Sequence, residues 1–331
     1  MSACRLRSEV VMCTFCGVHH VQQQLDSIAI QHRVPDSILI LDDASDDGTW
    51  TVVNEWMKSM QQAAELSCRV LRNDTRLGVV ANFSRALSLA DADVIVAADQ
   101  DDVWYADKLA RLVAEFERRP DLLLLHTDAR LVDAAGQPLG MSLFEAMRFT
   151  RAERARIHRD EGFAVYVCRS AATGATMAFR RELVELALPI GGGWIHDEWL
   201  AIVAAAIGRV DVIEDCLIDY RQHGANAVGM RVRTLRDKWD DLCKPRAAQF
   251  RHEIERLSVL EQRLLVLGAR VATWKLDLLR TRIAHMQRRV VMGHMPHWRR
   301  LPAIWCEWRQ GHYMRFGTGL RTAIRDLLRR D

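Results

Sequence analysis

Residues 94–104 of this 331-residue chain read Val-Ile-Val-Ala-Ala-Asp-Gln-Asp-Asp-Val-Trp. The run Val94–Ala98 is short, apolar and β-branched, so it predicts a buried strand. Three carboxylates follow it, Asp99, Asp101 and Asp102, and burying an unpaired carboxylate is costly. Such a cluster normally meets a cation or water at a cleft, and hard oxygen ligands suit Mg²⁺ or Mn²⁺ bound to phosphates. The stretch therefore predicts a divalent metal and a phosphorylated substrate at the carboxyl end of a sheet strand.

A second acidic cluster follows another strand-like run, Ser37–Leu41. It begins with Asp42 and Asp43 and continues through Asp46 and Asp47. Because open α/β sheets bind ligands beyond the carboxyl ends of their strands, we expect both clusters on one rim. For Asp46 and Asp47, a turn with helix-capping residues explains the sequence equally well.

Strand-like runs alternate with helical patterns in the first part of the chain, which indicates a mostly parallel sheet with helices on both faces. Between residues 128 and 163 the periodicity fades, and we interpret this region as an insertion over the cleft. Strand character returns at Ala175–Phe179. The glycines Gly191–Gly193 predict either a loop that rearranges on substrate binding or a plain linker. The other predicted strands are Val10–Phe15, Ile38–Leu41, Arg69–Leu71, Val94–Ala98 and Leu122–Leu125.

The net charge of +3 conceals an asymmetry along the chain. Residues 231–331 hold 23 Lys and Arg against 10 Asp and Glu, a balance of +13, whereas residues 1–230 hold 23 against 33, a balance of −10. The basic part is helical in pattern and ends in a stripe of Leu320, Ile324, Leu327 and Leu328, with arginines beside it and tryptophans just before it. Such helices favour an anionic bilayer surface or an acidic partner. The alternative is a solvated face whose aromatic residues pack on the rest of the protein.

The absence of membrane-spanning and secretory segments in the sequence bears on the cellular compartment of the protein. No run approaches the ~18 apolar residues of a membrane-spanning helix, and Met1–Arg7 lacks the apolar core of a secretory signal. The eight cysteines show no paired framework, which is consistent with a reducing compartment. Cys13 and Cys16 have redox or zinc spacing, but a second ligand pair is not evident. We therefore expect a cytoplasmic chain, with these cysteines packed at the first strand.

A series of further motifs follows in order along the chain. They are Asp42–Thr49, Leu77–Val79 with Asn82 and Phe83, Asp99–Trp104, Gly174–Phe179, His196–Trp199 and Tyr220–Gly224. Together they resemble the family-2 glycosyltransferases of the GT-A fold over residues 10–229. The last two resemble the rhamnosyltransferase-like branch, which decorates bacterial cell-surface polysaccharide. The ordered series is far more specific than an isolated Asp-any-Asp triplet.

The resemblance implies an α/β GT-A fold, a mostly parallel sheet flanked by helices with a C-terminal helical extension. It implies a catalytic domain over residues 1–230, with a donor half at about 8–127 and an acceptor half at about 128–230, and a basic helical region over 231–331. The implied activity is metal-dependent, inverting transfer of a sugar, with rhamnose favoured by the branch, from a UDP- or dTDP-sugar. The acceptor would be a hydroxyl of a cell-surface glycan or lipid-linked molecule at the cytoplasmic membrane face. The resemblance does not decide whether the chain forms a homo-oligomer.

The implied donor site contains metal and phosphate ligands. Asp99 and Asp101 are the expected metal pair for Mn²⁺ or Mg²⁺. Asp102 is a further ligand or a sugar contact, and His223 is a third metal or phosphate contact. Arg221 is the expected partner of phosphate oxygens.

The implied nucleoside site lies at the other acidic cluster. One of Asp42 and Asp43 would accept a hydrogen bond from a pyrimidine imide N–H, since a carboxylate is an acceptor and the imide a donor. This favours uridine or thymidine diphosphate donors. The residues expected around the nucleotide sugar are Thr14, Phe15, Asn73, Arg76 and Gln100, together with Asp99.

The implied acceptor site follows the His-Asp-Glu-Trp motif. Asp197 is the expected general base, and Glu198 competes with it because this chain has Glu where the related branch often has Trp. Trp199 is expected to stack on an acceptor sugar, and Gly174 to border it. His196 either orients Asp197 or is a packed histidine.

Three other functions were weighed against transfer. A sugar-nucleotide-forming nucleotidyltransferase would use the same Mg²⁺ carboxylates, but it needs a Gly-rich, basic loop that Gly17–His20 does not supply. A receiver-type phosphorylation switch occupies only ~120 residues and leaves the motifs after Gly174 unexplained. A non-catalytic module with a nucleic-acid-binding tail is disfavoured, because the basic tail is mixed with Trp and Leu rather than purely basic. We therefore expect no nucleic-acid partner.

Overall fold

A computed structural model of the chain describes residues 5–62, 66–222 and 245–329. It divides into two compact units, one made of Met1–Ile190 with Ile195–Asn226 and the other of Gly191–Trp194 with Ala227–Asp331. The expected boundary between residues 230 and 231 lies outside the described residues, so that expectation stays a prediction.

The first unit contains the sheet. Its strands are β1 (Ser8–Thr14), β2 (Ser37–Asp42), β3 (Ser67–Arg72), β4 (Val94–Ala98), β5 (Val103–Trp104), β6 (Leu122–Val132), β7 (Pro138–Ser142), β8 (Met177–Arg180) and β9 (Arg209–Arg221). Its helices are α1 (Val21–Ala29), α2 (Thr49–Gln62), α3 (Val79–Leu89), α4 (Lys108–Arg118), α5 (Leu143–Ala146), α6 (Arg151–His158), α7 (Gly162–Tyr166), α8 (Arg181–Ala187) and α9 (His196–Ile207).

The described strands form one mixed sheet in the order β3-β2-β1-β4-β8-β6-β9-β5, with β7 paired to β6. Strands β3, β2, β1 and β4 run parallel, and β8 then runs antiparallel to both β4 and β6. Every residue of β4 is buried, which the apolar run Val94–Ala98 predicted with the correct bounds. Because the parallel strands share one direction, β1, β2 and β4 end at the same edge of the sheet.

The interpretation of residues 128–163 as an insertion is wrong for its first part. Strand β6 continues through Asp128 to Val132 and pairs with β9 on one side and β7 on the other. Periodicity fades there because polar residues are buried inside the sheet. Asp128 is 6% exposed, and its Oδ1 accepts the backbone N–H of Phe144 at 2.8 Å. The predicted turn at Gly136 is confirmed, with φ of 80°.

The second unit is helical, as its sequence pattern predicted. Its helices are α10 (Ala247–Leu267), α11 (Thr273–Gly293), α12 (His297–Arg309), α13 (His312–Arg315) and α14 (Leu320–Leu328). Among the described residues, no helix combines the length and apolar composition needed to cross a bilayer.

Candidate active site

The carboxyl ends of β1, β2 and β4 border a cavity of about 520 Å³. Asp43, Asp99 and Asp101 all line it, so the acidic ends of two strands share one cavity. Asn82 and Phe83 of α3 line it as well. This convergence is the arrangement that the strand-end carboxylates predicted.

The carboxylates after β4 repel one another in a poorly solvated site. Burial, and then the charges of Asp101 and Asp197, raise the pKa of Asp99 to about 7. Burial and the charges of Asp99 and Asp101 also raise the pKa of Asp102 well above its usual value. Because Asp197 acts on Asp99, the expected base and the expected metal ligand lie within electrostatic reach of each other. Because these neighbouring carboxylates repel one another when all are charged, the site favours the binding of a proton or of a metal cation.

Lys108 is a buried cation beside this cluster, and the sequence reasoning missed it. Its Nζ donates to the carbonyl oxygen of Ala175 at 2.8 Å and lies 3.7 Å from the centre of the Trp104 ring. Burial lowers the pKa of Lys108 to about 7, against the opposing effect of Asp102 and Asp99. A lysine in an amphipathic helix is normally exposed, so its burial could not be inferred from the sequence.

Tyr220 is the first residue of the motif Tyr220–Gly224 and lies at the end of β9. Burial raises its pKa, and the charges of Asp99, Asp102, Asp101 and Asp197 add to the effect. Its phenol therefore lies near the acidic cluster and is a neutral hydrogen-bonding group for any ligand there.

The structure corrects the assignment of Arg221, which binds the protein itself. Its backbone N–H donates to Asp102 Oδ1 at 3.0 Å, and its Nε donates to the carbonyl oxygen of Asp101 at 2.8 Å. Its terminal nitrogens donate to the carbonyl oxygen of Ala134 at 3.0 Å and to Gln23 Oε1 at 2.9 Å. With 4% of the residue exposed, Arg221 fastens the acidic loop to β9 instead of meeting a phosphate.

The donor set fits a divalent cation. Asp102 Oδ2 is buried without a hydrogen-bond partner in the part of the chain that the structure describes. Asp99 and Asp101 both line the cavity. Carboxylate oxygens of this kind suit Mg²⁺ or Mn²⁺. His223, the expected third contact, lies outside the described residues.

Of Asp42 and Asp43, only Asp43 lines the cavity. Asp42 is fully buried; its carboxylate accepts the hydroxyl of Thr14 at 2.9 Å and the backbone N–H of Ser45 at 3.0 Å. It also lies 3.3 Å from Nε of Arg72. Asp42 is therefore a structural carboxylate that fixes the loop, and the expectation of a nucleoside contact there is corrected.

Asp43 organises the loop before α3. Its carboxylate accepts the backbone N–H groups of Leu77 at 2.7 Å and Gly78 at 2.8 Å, and the amide of Asn73 at 2.7 Å. A carboxylate has about four acceptor sites, so one remains for a ligand donor. Asn73 is 3% exposed and also contacts Asn82, so it acts on the cavity through Asp43.

Phe15, Gln100 and Arg76 form one wall of the cavity. The Gln100 amide exchanges two 2.9 Å hydrogen bonds with the backbone of Phe15, one through its oxygen and one through its nitrogen. The Arg76 guanidinium carbon lies 3.9 Å from the centre of the Phe15 ring. Thr14 also lines the cavity, but its hydroxyl is engaged by Asp42. A flat ring beside an exposed guanidinium is suited to a base and its phosphates.

Asp197 lies in the first turn of α9, where the helix dipole favours a negative charge. Its Oδ2 accepts the backbone N–H of Gly174 at 3.1 Å, and its Oδ1 accepts that of Glu198 at 2.7 Å. Gly174, which was expected to border the acceptor, thus contacts Asp197 directly. Asp197 and Glu198 are both partly exposed, so the structure keeps both as candidates.

His196 is a packed histidine. Its ring stacks on Phe83 with centres 3.8 Å apart, and burial lowers its pKa, so the neutral form is favoured. Both ring nitrogens lack a hydrogen-bond partner among the described residues. A methyl group at Gly174 would lie 2.9 Å from Nε2 of His196, which explains why glycine occupies that position.

Trp199 does not face an acceptor. The residue is fully buried, and its Nε1 donates to the carbonyl oxygen of Ala187 at 2.8 Å. The expectation that it stacks on a sugar is therefore wrong, because the inward side of α9 takes the indole into the packing with α8.

Comparisons with known proteins give the fold a context. Over 225 residues the chain is 23% identical to an uncharacterized glycosyltransferase, alr2836, of Nostoc sp.; the match covers 67% of this chain and 66% of that one. It is 22% identical to the uncharacterized protein Rv1520 of Mycobacterium tuberculosis over 96% of this chain and 88% of that one. A shorter match, 33% identical over 105 residues, is to the dTDP-rhamnosyl transferase RfbG of Shigella flexneri and covers 31% and 35% of the two chains.

Solved structures share the architecture. S. aureus TarS 1–349 in complex with UDP-GlcNAc aligns with a TM-score of 0.54 at 13% identity, over 96% of this chain and 90% of that one. The mannosyltransferase PcManGT from Pyrobaculum calidifontis, in complex with GDP-Man and Mn²⁺, aligns with a TM-score of 0.51 at 18% identity, over 98% and 86%. These likenesses confirm the predicted GT-A fold. Residues 9–184, more than half of the chain, match the family model "Glycosyl transferase family 2".

Proposed function

The chain belongs to glycosyl transferase family 2, and from this premise we propose that it is a metal-dependent, inverting glycosyltransferase. It transfers a sugar from a UDP- or dTDP-sugar to a hydroxyl of a cell-surface glycan or a lipid-linked acceptor, at the cytoplasmic face of a membrane. The observation that carries the proposal is the shared cavity of Asp43, Asp99 and Asp101, with the charge of Asp197 close to Asp99.

The donor follows from the chemistry of the cavity. Asp43 has an acceptor site left for a nucleobase imide N–H, which uracil and thymine offer. Phe15 supplies a flat apolar surface beside that site, and Arg76 supplies an exposed positive charge for phosphates. The partial likeness to a dTDP-rhamnosyl transferase supports dTDP-rhamnose as the first donor to test.

The reaction needs a neutralised leaving group and a base in line with it. A divalent cation held by Asp99 and Asp101 would offset the charge of the leaving diphosphate. Asp197 accepts the proton of the acceptor hydroxyl while the new bond forms between that oxygen and the anomeric carbon. The bond from the anomeric carbon to the diphosphate oxygen breaks, and the diphosphate leaves with the electron pair. Because the acceptor oxygen enters on the face opposite the leaving diphosphate, the configuration at the anomeric carbon inverts.

Backbone contacts prepare Asp197 for this role. The N–H groups of Gly174 and Glu198 hold its two oxygens, and a carboxylate retains further acceptor sites for the hydroxyl proton. Lys108 fixes Ala175, the neighbour of Gly174, through its carbonyl oxygen. The loop that carries Gly174 is thereby hydrogen-bonded to Lys108, which lies beside the acidic cluster.

Donor hydrolysis and thermal shift test the proposal. We expect UDP- or dTDP-sugars with Mn²⁺ to raise the melting temperature, because a bound donor stabilises the folded state by mass action, and we expect slow release of nucleoside diphosphate. Asp101→Asn should lose both effects, whereas Asp74→Asn, an exposed carboxylate outside the cavity, should retain them. Release of pyrophosphate from a nucleoside triphosphate and a sugar 1-phosphate would instead identify a nucleotidyltransferase.

A further inference from the structure

Two carboxylates of the second unit, on α12 and α14, are buried. Glu307 is 1% exposed, and its Oε2 lies 2.5 Å from Nδ1 of His285 and 2.8 Å from Nδ1 of His312. Asp326 is fully buried and accepts hydrogen bonds of 2.7 and 3.0 Å from Arg289. The acidic groups of α12 and α14 are thus neutralised within the unit and add no negative charge to its surface.

Helix α12 carries its large apolar residues on the outside. Trp298, Leu301 and Trp305 follow the spacing i, i+3, i+7, which places them on one side of the helix. They are 66%, 53% and 63% exposed, and Pro302 on the same side is also exposed. We call these four residues the Trp298 face. Among the residues that the structure describes, Trp298 and Trp305 thus present most of their surface to solvent.

The exposed charged residues of segment 297–328 all carry a positive charge. Between residues 297 and 328 the only carboxylates are Glu307 and Asp326, which are both buried. The guanidinium carbon of Arg299 lies 4.8 Å from the centre of the Trp298 ring, so a positive charge is adjacent to the apolar surface. The exposed arginines of this segment are Arg299, Arg309, Arg315 and Arg321.

We propose that the Trp298 face binds an anionic bilayer surface. Amphipathic indole rings favour the boundary between headgroups and acyl chains, and arginines beside them meet lipid phosphates. The next helix, α14, adds two exposed apolar residues, Leu320 and Ile324, at 62% and 40%. The proposal is independent of the transfer reaction, since it uses none of the residues of the cavity.

Charge selects the bilayer over a second copy of the chain. A two-fold contact would set this surface against itself and so bring arginines against arginines, because the two carboxylates of segment 297–328 are buried. Like charges across an interface are costly. An anionic leaflet offers both the apolar depth for the indoles and the opposite charge.

Vesicle flotation of the full chain tests the proposal. Vesicles of phosphatidylcholine with phosphatidylglycerol should bind the protein and shift its tryptophan emission to shorter wavelength, whereas vesicles of phosphatidylcholine alone should bind weakly. Trp298→Ala with Trp305→Ala should lower the partition coefficient by about tenfold or more. Arg299→Gln should lower it by about fivefold. Donor hydrolysis in solution should stay at the wild-type rate in all variants.

Two control variants distinguish binding through the Trp298 face from non-specific binding to vesicles. Trp274→Ala removes another half-exposed indole of the second unit, and Arg151→Gln removes an exposed arginine of the first unit; both should bind vesicles as the wild type does. The proposal is overturned if the wild type ignores phosphatidylglycerol, or if the double tryptophan variant and Arg299→Gln bind undiminished. A dimer that the double variant dissociates, seen by light scattering, would assign the face to a second copy. None of these results touches the proposed transfer, which donor hydrolysis reports separately.

Discussion

Replacing Asp99 by asparagine should stabilise the metal-free protein. At pH 8 the Asp99 carboxylate is charged in both the folded and the unfolded chain, but in the folded chain burial and the charges of Asp101 and Asp197 oppose its ionisation. An amide has nearly the same volume and no charge. The variant should therefore fold more stably than the wild type in EDTA, while it loses the stabilisation that Mn²⁺ with UDP gives the wild type.

The size of the effect follows from the raised pKa. Folding moves the pKa of Asp99 from 3.8 to about 7, and each unit corresponds to about 1.4 kcal/mol. The full cost above pH 7 thus approaches about 4 kcal/mol, and we expect about 2–4 kcal/mol because neighbouring charges readjust. Because the pKa of Asp99 is higher in the folded chain, folding favours the protonated carboxyl group. Its contribution to the free energy of unfolding is therefore fully present below about pH 4 and is lost as the pH rises through 7. The advantage of the variant should be near zero at pH 4, about half at pH 5.5 and complete at pH 8.

Urea unfolding in EDTA at these three pH values measures the difference. Asp74→Asn, an exposed carboxylate of the first unit, is the control and should follow the wild type throughout. The reasoning is refuted if Asp99→Asn is less stable than the wild type at pH 8, or if the difference between them does not change with pH.

Three further predictions concern the same unit. Asp197→Asn should lower the rate of sugar transfer by about 10²–10⁴-fold, while the donor still raises the melting temperature of the variant. If Glu198→Gln loses the activity and Asp197→Asn retains it, Glu198 is the base. Trp199→Phe removes the bond to Ala187 and should cost about 1 kcal/mol in urea unfolding with an unchanged KM for the acceptor, whereas a raised KM at full stability would restore the stacking role. Calorimetric affinity for Mn²⁺ with UDP should fall as the pH drops from 8 to 6, because a proton on Asp99 competes with the cation; a flat profile would contradict the raised pKa.

The parallel half of the fold was predictable because its central strands contain short apolar runs between turns. Val94–Ala98 is buried on both faces, so its boundaries coincide with the limits of the apolar run. The course of β6 was not predictable beyond Leu125, since its polar residues are satisfied by distant partners. His126 lies 2.8 Å from the Tyr166 hydroxyl, and Arg130 donates to Asp219 at 2.7 and 2.6 Å.

The acidic strand ends were predictable from topology alone, because parallel strands deliver their carboxyl ends to one edge. Roles that depend on the direction of a side chain were not. Trp199 and Arg221 are residue types that often meet sugars and phosphates, yet both are turned inward by partners remote in sequence. Lys108 shows the reverse case, a residue type typical of surfaces that is fully buried next to the acidic cluster.

The clamp between Arg221 and the carbonyl oxygen of Asp101 spans 120 positions of the chain. During synthesis the first strands leave the ribosome early and can pair, but the loop that carries Asp101 and Asp102 is fastened only after β9 has emerged. A nascent chain halted before that strand would have the parallel half of its sheet but would lack the hydrogen bonds through which Arg221 holds Asp101 and Asp102. The arrangement of this acidic loop is thereby completed only once β9 has been made.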